Sequence, residues 1–299
     1  MLLKSSDRLE SGNIELLIIG TMGALHVGVV FPLPLADAQE LDSEEVKGSF
    51  LQPSQLGQAL PSELLPPIGL EEELMSKVFT IKDTEPFQVL PSGHTAWLLA
   101  SVGNLSVQII ESKTAGQPVE FPAPSGEEEF IYVLRGHVQY DDGRTARMGE
   151  AVYNPPDLSS PSKYSGQLLR IAVFTESRGT QPRKDLLGMV FNVDNVKSFY
   201  DDKAMTTRRL WVVTQNMSIV MNESQPGTRF VDTGHPEKEI IYVIRGCLEY
   251  DNGRTVTDGE AVVNLPDKLH PGRRCGTAPT RSFEAKTPAP ERLLEMFEA

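Results

Sequence analysis

Cysteine is scarce in this sequence, and its scarcity sets the first bounds on what the protein can be. The 299 residues contain two cysteines, Cys247 and Cys275. Two are too few for the disulfide framework of a small secreted domain, and they form no zinc-binding pattern. This usage is compatible with a reducing compartment, so we expect a cytoplasmic protein. We expect Cys247 to be a small core residue and Cys275 to lie in a solvated loop.

Positive charge is also in short supply. The chain has 28 Lys and Arg residues against 41 Asp and Glu residues, and its formal net charge is −13. Binding to nucleic acid requires clustered Lys and Arg side chains that contact phosphates. The composition therefore argues against a nucleic-acid partner.

One stretch near the N-terminus, residues 16–36, contains no Asp, Glu, Lys or Arg. Its glycines and prolines make it a poor spanning helix, so no membrane partner is expected. Ala36-Asp37-Ala38 resembles the cleavage site of a secretory signal, but Asp7 and Glu10 disrupt the positively charged start that such a signal has. A signal or anchor is one interpretation of this stretch, and a buried strand or a mispredicted start is the preferred one.

The main positive feature is a long internal repeat. Residues 129–136 read EFIYVLRG, and residues 239–246, which lie 110 positions later, read EIIYVIRG. The same offset holds without a gap as far as Asp157 and Asp267. Self-similarity at a fixed offset indicates two copies of one structural unit.

Both copies consist of short β-type runs separated by Pro, Gly and Asn, with few helical patterns. This texture predicts an all-β sandwich or barrel. We predict an N-terminal segment and arm over 1–76, a first domain over 77–176, a second over 187–285, and a short amphipathic helix over 286–299. The helix presents Leu293, Leu294 and Phe297 on one side and should pack on a barrel surface.

The repeat resembles the cupin superfamily in its two-domain form. The first cupin motif reads G-x5-H-x-H-x3-E-x6-G, and the second copy matches it from Gly227 through His235 and Glu239 to Gly246, with Thr233 in place of the first His. The second motif places a His eleven residues after its first Gly, and His270 stands eleven residues after Gly259. The resemblance implies two tandem jelly-roll β-barrels.

In the first copy, the four corresponding positions are Ala123, Ser125, Glu129 and Ser160. Three of them lack a metal-binding side chain. The resemblance therefore implies a first barrel that is structural or that binds something without metal.

The residues of the second copy carry the chemistry by themselves. His235 and Glu239 are four apart, so on one strand they would face the same side. With His270 they supply two imidazoles and one carboxylate, the facial triad that leaves coordination positions open. We expect one divalent metal ion, with Fe(II) favoured and Mn, Ni, Co or Zn as alternatives. Thr233 would then contact a bound water or the substrate through its hydroxyl.

A structural interpretation of the same residues stays open. His235 lies between Gly234 and Pro236 and fits a loop, and His270 before Pro271 fits an exposed position. Glu239 has its twin Glu129 in a barrel without the histidines, so this Glu can persist for another reason, such as an ion pair with an arginine.

Two further stretches carry polar groups of interest. His94 follows Pro91-Ser92-Gly93 and is expected in a loop. Arg273 and Arg274 could lower the pKa of Cys275 or bind a substrate carboxylate, although a solvated loop is the preferred interpretation.

The functional hypothesis is a metal-dependent oxidoreductase of dioxygenase type, acting on a small oxygen-rich organic molecule in the second barrel. The alternatives are a non-redox isomerase, decarboxylase or lyase, and a cupin that binds small molecules without chemistry. By analogy with the fold, a C2 homodimer is the expected assembly.

Overall fold

The computed structural model describes residues 15–21, 24–30, 75, 77–89, 94–113, 118–119, 126–157, 162–177, 183–202, 204–230 and 234–298, with the backbone alone for 15–30, 118–119 and 162–167. Near the N-terminus, strands β1 (Glu15–Thr21) and β2 (Ala24–Val30) pair antiparallel as a hairpin. This hairpin belongs to a separate compact unit, residues 1–52, and the two repeats belong to the unit formed by residues 53–299.

In the first half of the larger unit, the described residues form nine short or medium strands. They are β3 (Phe79–Thr80), β4 (Gln88–Val89), β5 (His94–Val102), β6 (Leu105–Ser112), β7 (Pro118–Val119), β8 (Glu127–Tyr140), β9 (Thr145–Arg147), β10 (Ala151–Asn154) and β11 (Ser162–Glu176).

The second half repeats this arrangement, and its described residues form eleven strands and one helix. They are β12 (Val190–Phe191), β13 (Lys197–Asp201), β14 (Thr206–Val213), β15 (Ser218–Ser224), β16 (Arg229–Phe230), β17 (Lys238–Arg245), β18 (Cys247–Tyr250), β19 (Thr255–Thr257), β20 (Glu260–Asn264), β21 (Gly272–Arg274), β22 (Thr280–Thr287) and helix α1 (Glu291–Glu298).

Antiparallel pairing organises both halves. In the first, the sheet runs β12-β10-β8-β11-β6-β5-β4. Beside this path, β7 pairs with β11 and β9 pairs with β8. In the second, one sheet runs β13-β14-β15-β22-β17-β20-β3 and a smaller one runs β16-β21-β18-β19. The prediction of an all-β fold with a short C-terminal helix is confirmed. The domain limits stay a prediction.

The two halves exchange their leading strands. β3 pairs with β20 of the second half through Ala261 and Phe79, and β12 pairs with β10 of the first half through Ala151 and Phe191. Each leading strand thus extends the sheet of the other repeat. The equivalence of the repeats also reaches the backbone, because Asp157 and Asp267 both adopt a φ of 58°.

Strand β17 shows why these sequences form buried strands. Its alternating side chains point to two faces: Ile240 and Tyr242 join the large core cluster shared by both repeats, whereas Ile241 and Val243 join a smaller cluster inside the second repeat. A strand covered on both faces reads as a nearly continuous apolar run, which is what residues 240–244 show.

The core shared by the two repeats centres on Trp211, which is fully buried. Its ring makes edge contacts with Phe130 and Tyr132 of the first repeat, at centroid distances of 6.4 and 5.6 Å. Glu128 adds polar contacts across the same boundary, since Thr214 and Asn216 donate hydrogen bonds of 2.6 and 2.7 Å to its carboxylate. The two repeats therefore share one core.

Helix α1 packs its apolar side on β14 and β15. Leu293, Leu294 and Phe297 lie against a buried cluster that contains Leu210 and Val220. This is the packing that the amphipathic pattern predicts. Within the described ranges, no helix is long and apolar enough to cross a membrane.

The two cysteines are not the separate residues that the sequence predicts, although Cys275 does lie in a loop directly after β21. Cys247 and Cys275 form a disulfide, with their Cα atoms 5.0 Å apart. Strands β18 and β21 pair so that Leu248 lies opposite Arg274, and the cysteines therefore come to face each other one step further along. Sequence spacing could not show this, because the pairing depends on the register of two strands that are distant in the chain.

The expectation for His94 is also wrong. It opens strand β5 and is 1% exposed, and its Nδ1 lies 2.5 Å from the hydroxyl oxygen of Ser112. Pairing with β6, in which His94 lies opposite Ser112, places the ring inside the first repeat.

Candidate metal centre

Glu239 occupies the middle of the candidate site. It is the second residue of β17, which lies between β20 and β22, and it is 2% exposed. Directly opposite it are Asn264 on β20 and Lys286 on β22. Opposed residues on one face of a sheet interact across the strands, so both partners of the carboxylate follow from register.

The two histidines approach Glu239 from segments outside the strands. His235 lies in the turn before β17, and His270 lies between β20 and β21. The loop interpretation of His235 is thus correct in local structure, yet its ring points toward the carboxylate. His270 is 7% exposed, so the alternative interpretation that places it in an exposed position before Pro271 is wrong.

Backbone carbonyls fix the orientation of both imidazoles. Nδ1 of His235 lies 3.0 Å from the carbonyl oxygen of Glu237, and Nδ1 of His270 lies 3.0 Å from that of Lys268. A carbonyl oxygen can only accept, so each Nδ1 carries the proton and donates it. In the neutral rings, the lone pairs therefore reside on Nε2.

Both Nε2 atoms face the same oxygen of Glu239. The distances to Oε2 are 3.6 Å from His235 and 3.3 Å from His270, and the ligand atoms of the three residues all lie within 4.8 Å of one another. Three acceptors facing one another repel unless a cation or a proton lies between them. Histidine that donates its other nitrogen to a carbonyl is the usual state of a metal ligand, so these residues fit a divalent metal ion.

The other contacts of Glu239 leave one carboxylate oxygen directed at the histidines. Lys286 Nζ lies 3.0 Å from Oε1, and Asn264 donates a 2.6 Å hydrogen bond to Oε2. Burial by itself raises the pKa of this carboxyl, but the Lys286 ammonium outweighs burial and holds the pKa well below its usual range. The carboxylate is therefore ionised and ready to bind a cation through Oε2.

The first repeat keeps half of this arrangement. Asn154 donates a 2.7 Å hydrogen bond to Oε2 of Glu129, as Asn264 does to Glu239. Phe174 occupies the position opposite Glu129 that Lys286 holds in the second repeat. Burial raises the pKa of Glu129, and the nearby charge of Arg170 opposes this increase. The ion pair with an arginine that the structural interpretation of Glu129 suggests stays a prediction.

Four predicted positions lie outside the described residues. They are Ala123, Ser125, Ser160 and Thr233. The expected contact of Thr233 with water or substrate therefore stays a prediction, as does the absence of metal from the first barrel.

The triad lines a cavity inside the second repeat. Its volume is about 130 Å³, which leaves room for a small molecule only. The charged groups that line it outside the triad are Arg208, Arg274, Glu284 and Lys286. The cavity therefore combines the candidate metal ligands with a surplus of cationic side chains.

Sequence reasoning missed Asn264 and Lys286. Asn264 carried a signal, because it lies 110 positions after Asn154 in the repeat. The repeat gave no signal for Lys286. Its structural counterpart Phe174 differs in chemistry and lies 112 positions earlier, which is not the repeat offset of 110. The gapless offset ends before β22, so the sequence alone could not align them.

Comparisons with known proteins address the fold. No family model matches the sequence, and no curated protein sequence matches it. Among solved structures, AerE from Microcystis aeruginosa is similar, with a TM-score of 0.56 and 14% identity, over 68% of this chain and 96% of its own. A proposed dioxygenase from Nostoc punctiforme has a TM-score of 0.54 and 12% identity, over 70% of this chain and 81% of its own.

The formate complex of oxalate decarboxylase from Lactobacillus farciminis is also similar. Its TM-score is 0.50 at 13% identity, over 71% of this chain and 86% of its own. Identities this low establish the fold alone. The similar structures are cupin-fold proteins, so the predicted cupin-type jelly-roll β fold is confirmed.

Proposed function

We propose that the protein is a metal-dependent enzyme whose site lies in the cavity of the second repeat. His235, Glu239 and His270 would hold one divalent metal ion, through Nε2, Oε2 and Nε2. The observation that carries the proposal is the pair of Nδ1 contacts to backbone carbonyls, which directs both Nε2 lone pairs at one carboxylate oxygen.

The ligand set favours an oxidoreductase of dioxygenase type with Fe(II). Two histidines and one carboxylate form the facial triad of non-haem iron oxygenases, although Mn, Ni, Co and Zn accept the same ligands. When bound, the ion would polarise an oxygen-rich substrate as a Lewis acid, and a redox-active ion would also supply electrons to O2. Thr233 would contact a water or the substrate at the edge of this site.

The residues of the chain would bind and orient the substrate. Lys286 and Asn264 fix the carboxylate of Glu239, so it offers one oxygen to the metal. With three protein ligands, further coordination positions stay open for substrate. The cavity wall contributes apolar contacts from Phe230, Ile241 and Leu248, which exclude water from part of the substrate.

Two of the similar structures support this proposal by their own descriptions. One is a proposed dioxygenase and the other an oxalate decarboxylase. The second keeps a non-redox reaction as the other candidate for this chain. The cationic cavity lining favours it, because Arg208, Arg274 and Lys286 would stabilise an anionic intermediate.

Metal content per chain tests the proposal. Protein purified without a His tag from medium supplemented with Fe, Mn and Zn should contain metal near one equivalent by mass spectrometry. His270→Ala and Glu239→Gln should lose it. Glu129→Gln is the matched control, because Glu129 is equally buried and bonded to an asparagine, and it should keep the metal.

Oxygen uptake then separates the two reaction types. A native chain that contains metal and consumes O2 with small organic acids or diketones is a dioxygenase, and one that converts them without O2 is the non-redox enzyme. If the native chain contains no metal, the proposal is wrong, and a cupin that binds small molecules without chemistry is the remaining hypothesis. A homodimer also stays a prediction.

A further inference from the structure

Arg274 is a buried cation beside the candidate metal centre. It is the last residue of β21, is 7% exposed and lines the cavity, whereas its neighbour Arg273 points outward and makes an ion pair of 2.8 Å with Glu249. Alternation along the strand explains the difference. Of the two arginines that the sequence singled out, one therefore belongs to the surface and the other to the cavity.

The other cations of the cavity have carboxylate partners. Lys286 pairs with Glu239, and Arg208 lies 3.3 Å from Asp201 and 3.7 Å from Glu284. Within the described ranges, Arg274 makes no ion pair within 4 Å, and its Nε has no hydrogen-bond partner. Its guanidinium instead lies over the ring of Phe230, 4.5 Å from the centroid.

This environment is costly for a guanidinium in the absence of an anion. Burial lowers the pKa of Arg274, and the net pKa stays lowered although the nearby charge of Glu284 opposes this decrease. Buried charges in proteins are normally paired, and guanidinium groups bind carboxylates through two parallel hydrogen bonds. The cavity lining carries Arg208, Arg274 and Lys286 against Glu239 and Glu284, a surplus of one positive charge before any metal binds.

We propose that Arg274 binds a carboxylate of the substrate. The substrate is then a small organic acid, with a second oxygen donor for the metal ion that the triad would hold. The contact between the substrate and the metal rests on the proposed function, whereas the contact between the substrate and Arg274 does not. Phe230 holds the guanidinium plane in place from one side, so its hydrogen-bonding edge is available to the cavity. Recognition of the acid selects against neutral analogues of the same size.

Calorimetric titration with malonate and with its neutral diamide, malonamide, tests the proposal. Malonate should bind the native protein, and malonamide should bind at least about tenfold more weakly, because a charge-assisted bidentate contact is lost. Arg274→Met should weaken the binding of malonate by roughly tenfold or more and reduce its preference over malonamide. Arg273→Met is the matched control, and it should bind as the native chain does.

Equal malonate affinity in Arg274→Met and the native chain would overturn the proposal, as would equal affinity for malonate and malonamide. If Arg274→Met does not fold, Arg274→Lys replaces it: the charge stays but the planar fork is lost, so malonate should bind about threefold more weakly or worse. Unchanged binding in this variant would also overturn the proposal.

The two proposals fail in different ways. Metal content is measured on each variant, and Arg274→Met should retain as much metal as the native chain. The titration is repeated on protein treated with EDTA, where the difference between Arg274→Met and Arg273→Met should persist. Absence of metal from the native chain would contradict the proposed function. The comparison of malonate binding by Arg274→Met and Arg273→Met would still test the role of Arg274.

Discussion

Lys286 Nζ lies 3.0 Å from Oε1 of Glu239, on the strand directly beside it. The carboxylate is 2% exposed and the side chain of the lysine 15%, so the pair is largely withdrawn from water. In this geometry, the lysine supplies the charge that keeps a buried carboxylate ionised whether or not a metal ion is bound.

Replacing Lys286 therefore tests how the site is held together. Lys286→Met leaves a buried carboxylate without its ammonium partner and should lower the free energy of unfolding of EDTA-treated protein by roughly 3 kcal/mol. Divalent metal should restore part of the loss, because the ion supplies positive charge at Oε2. Urea titration measures both effects. Lys197→Met, at an exposed position of β13, is the control and should change neither.

The disulfide should stabilise the second repeat. Cys247 and Cys275 are 28 residues apart in sequence, and closing a loop of this length contributes about 3–4 kcal/mol in the chain-entropy description. Dithiothreitol should therefore lower the urea midpoint of the native protein and leave that of Cys275→Ser unchanged. Equal midpoints with and without reductant in the native protein would contradict the assignment.

His94 should make stability depend on pH. Burial and the charge of Arg170 lower the pKa of His94 to about 4. Below pH 6.5 the unfolded chain binds a proton that the folded chain rejects, so stability is full above about pH 6.5 and falls until about pH 4. The loss should be roughly 3 kcal/mol.

Unfolding curves recorded between pH 7 and 4 measure the slope of the free energy of unfolding against pH. His94→Gln should flatten it, because the titrating group is gone. His137→Gln, at a partly buried position of β8, is the control and should keep it. A slope that survives His94→Gln would assign the pH dependence to other groups.

Gly246 and Gly253 require glycine for different reasons: Gly253 for its positive φ alone, and Gly246 also for a close backbone contact. Both have positive φ, of 96° and 86°, but a Cβ on Gly246 would lie 2.7 Å from Cα of Thr280, whereas nothing lies within 4 Å of one on Gly253. Gly253→Ala should cost about 1 kcal/mol of unfolding free energy through backbone strain. Gly246→Ala should cost roughly 2 kcal/mol more, because backbone atoms must move. Equal losses would place the close approach in doubt.

Much of the fold follows from local sequence. The repeat of 110 residues and the alternating apolar runs predict two equivalent sets of β-strands, and the amphipathic C-terminal pattern predicts α1. These signals are local, because strand periodicity and turn residues act over a few positions. The exchange of β3 and β12 between the repeats had no such signal, since it depends on which sheet edge each short strand meets.

The sequence by itself determined the candidate triad of His235, Glu239 and His270, because ligand types and their spacing are written in the chain. Only the tertiary structure decided what surrounds it. Strand register placed Lys286 and Asn264 beside Glu239 and closed the Cys247–Cys275 disulfide, and side-chain alternation turned Arg274 inward. Register is a long-range property, set by the packing of whole sheets, and no short stretch of sequence contains it.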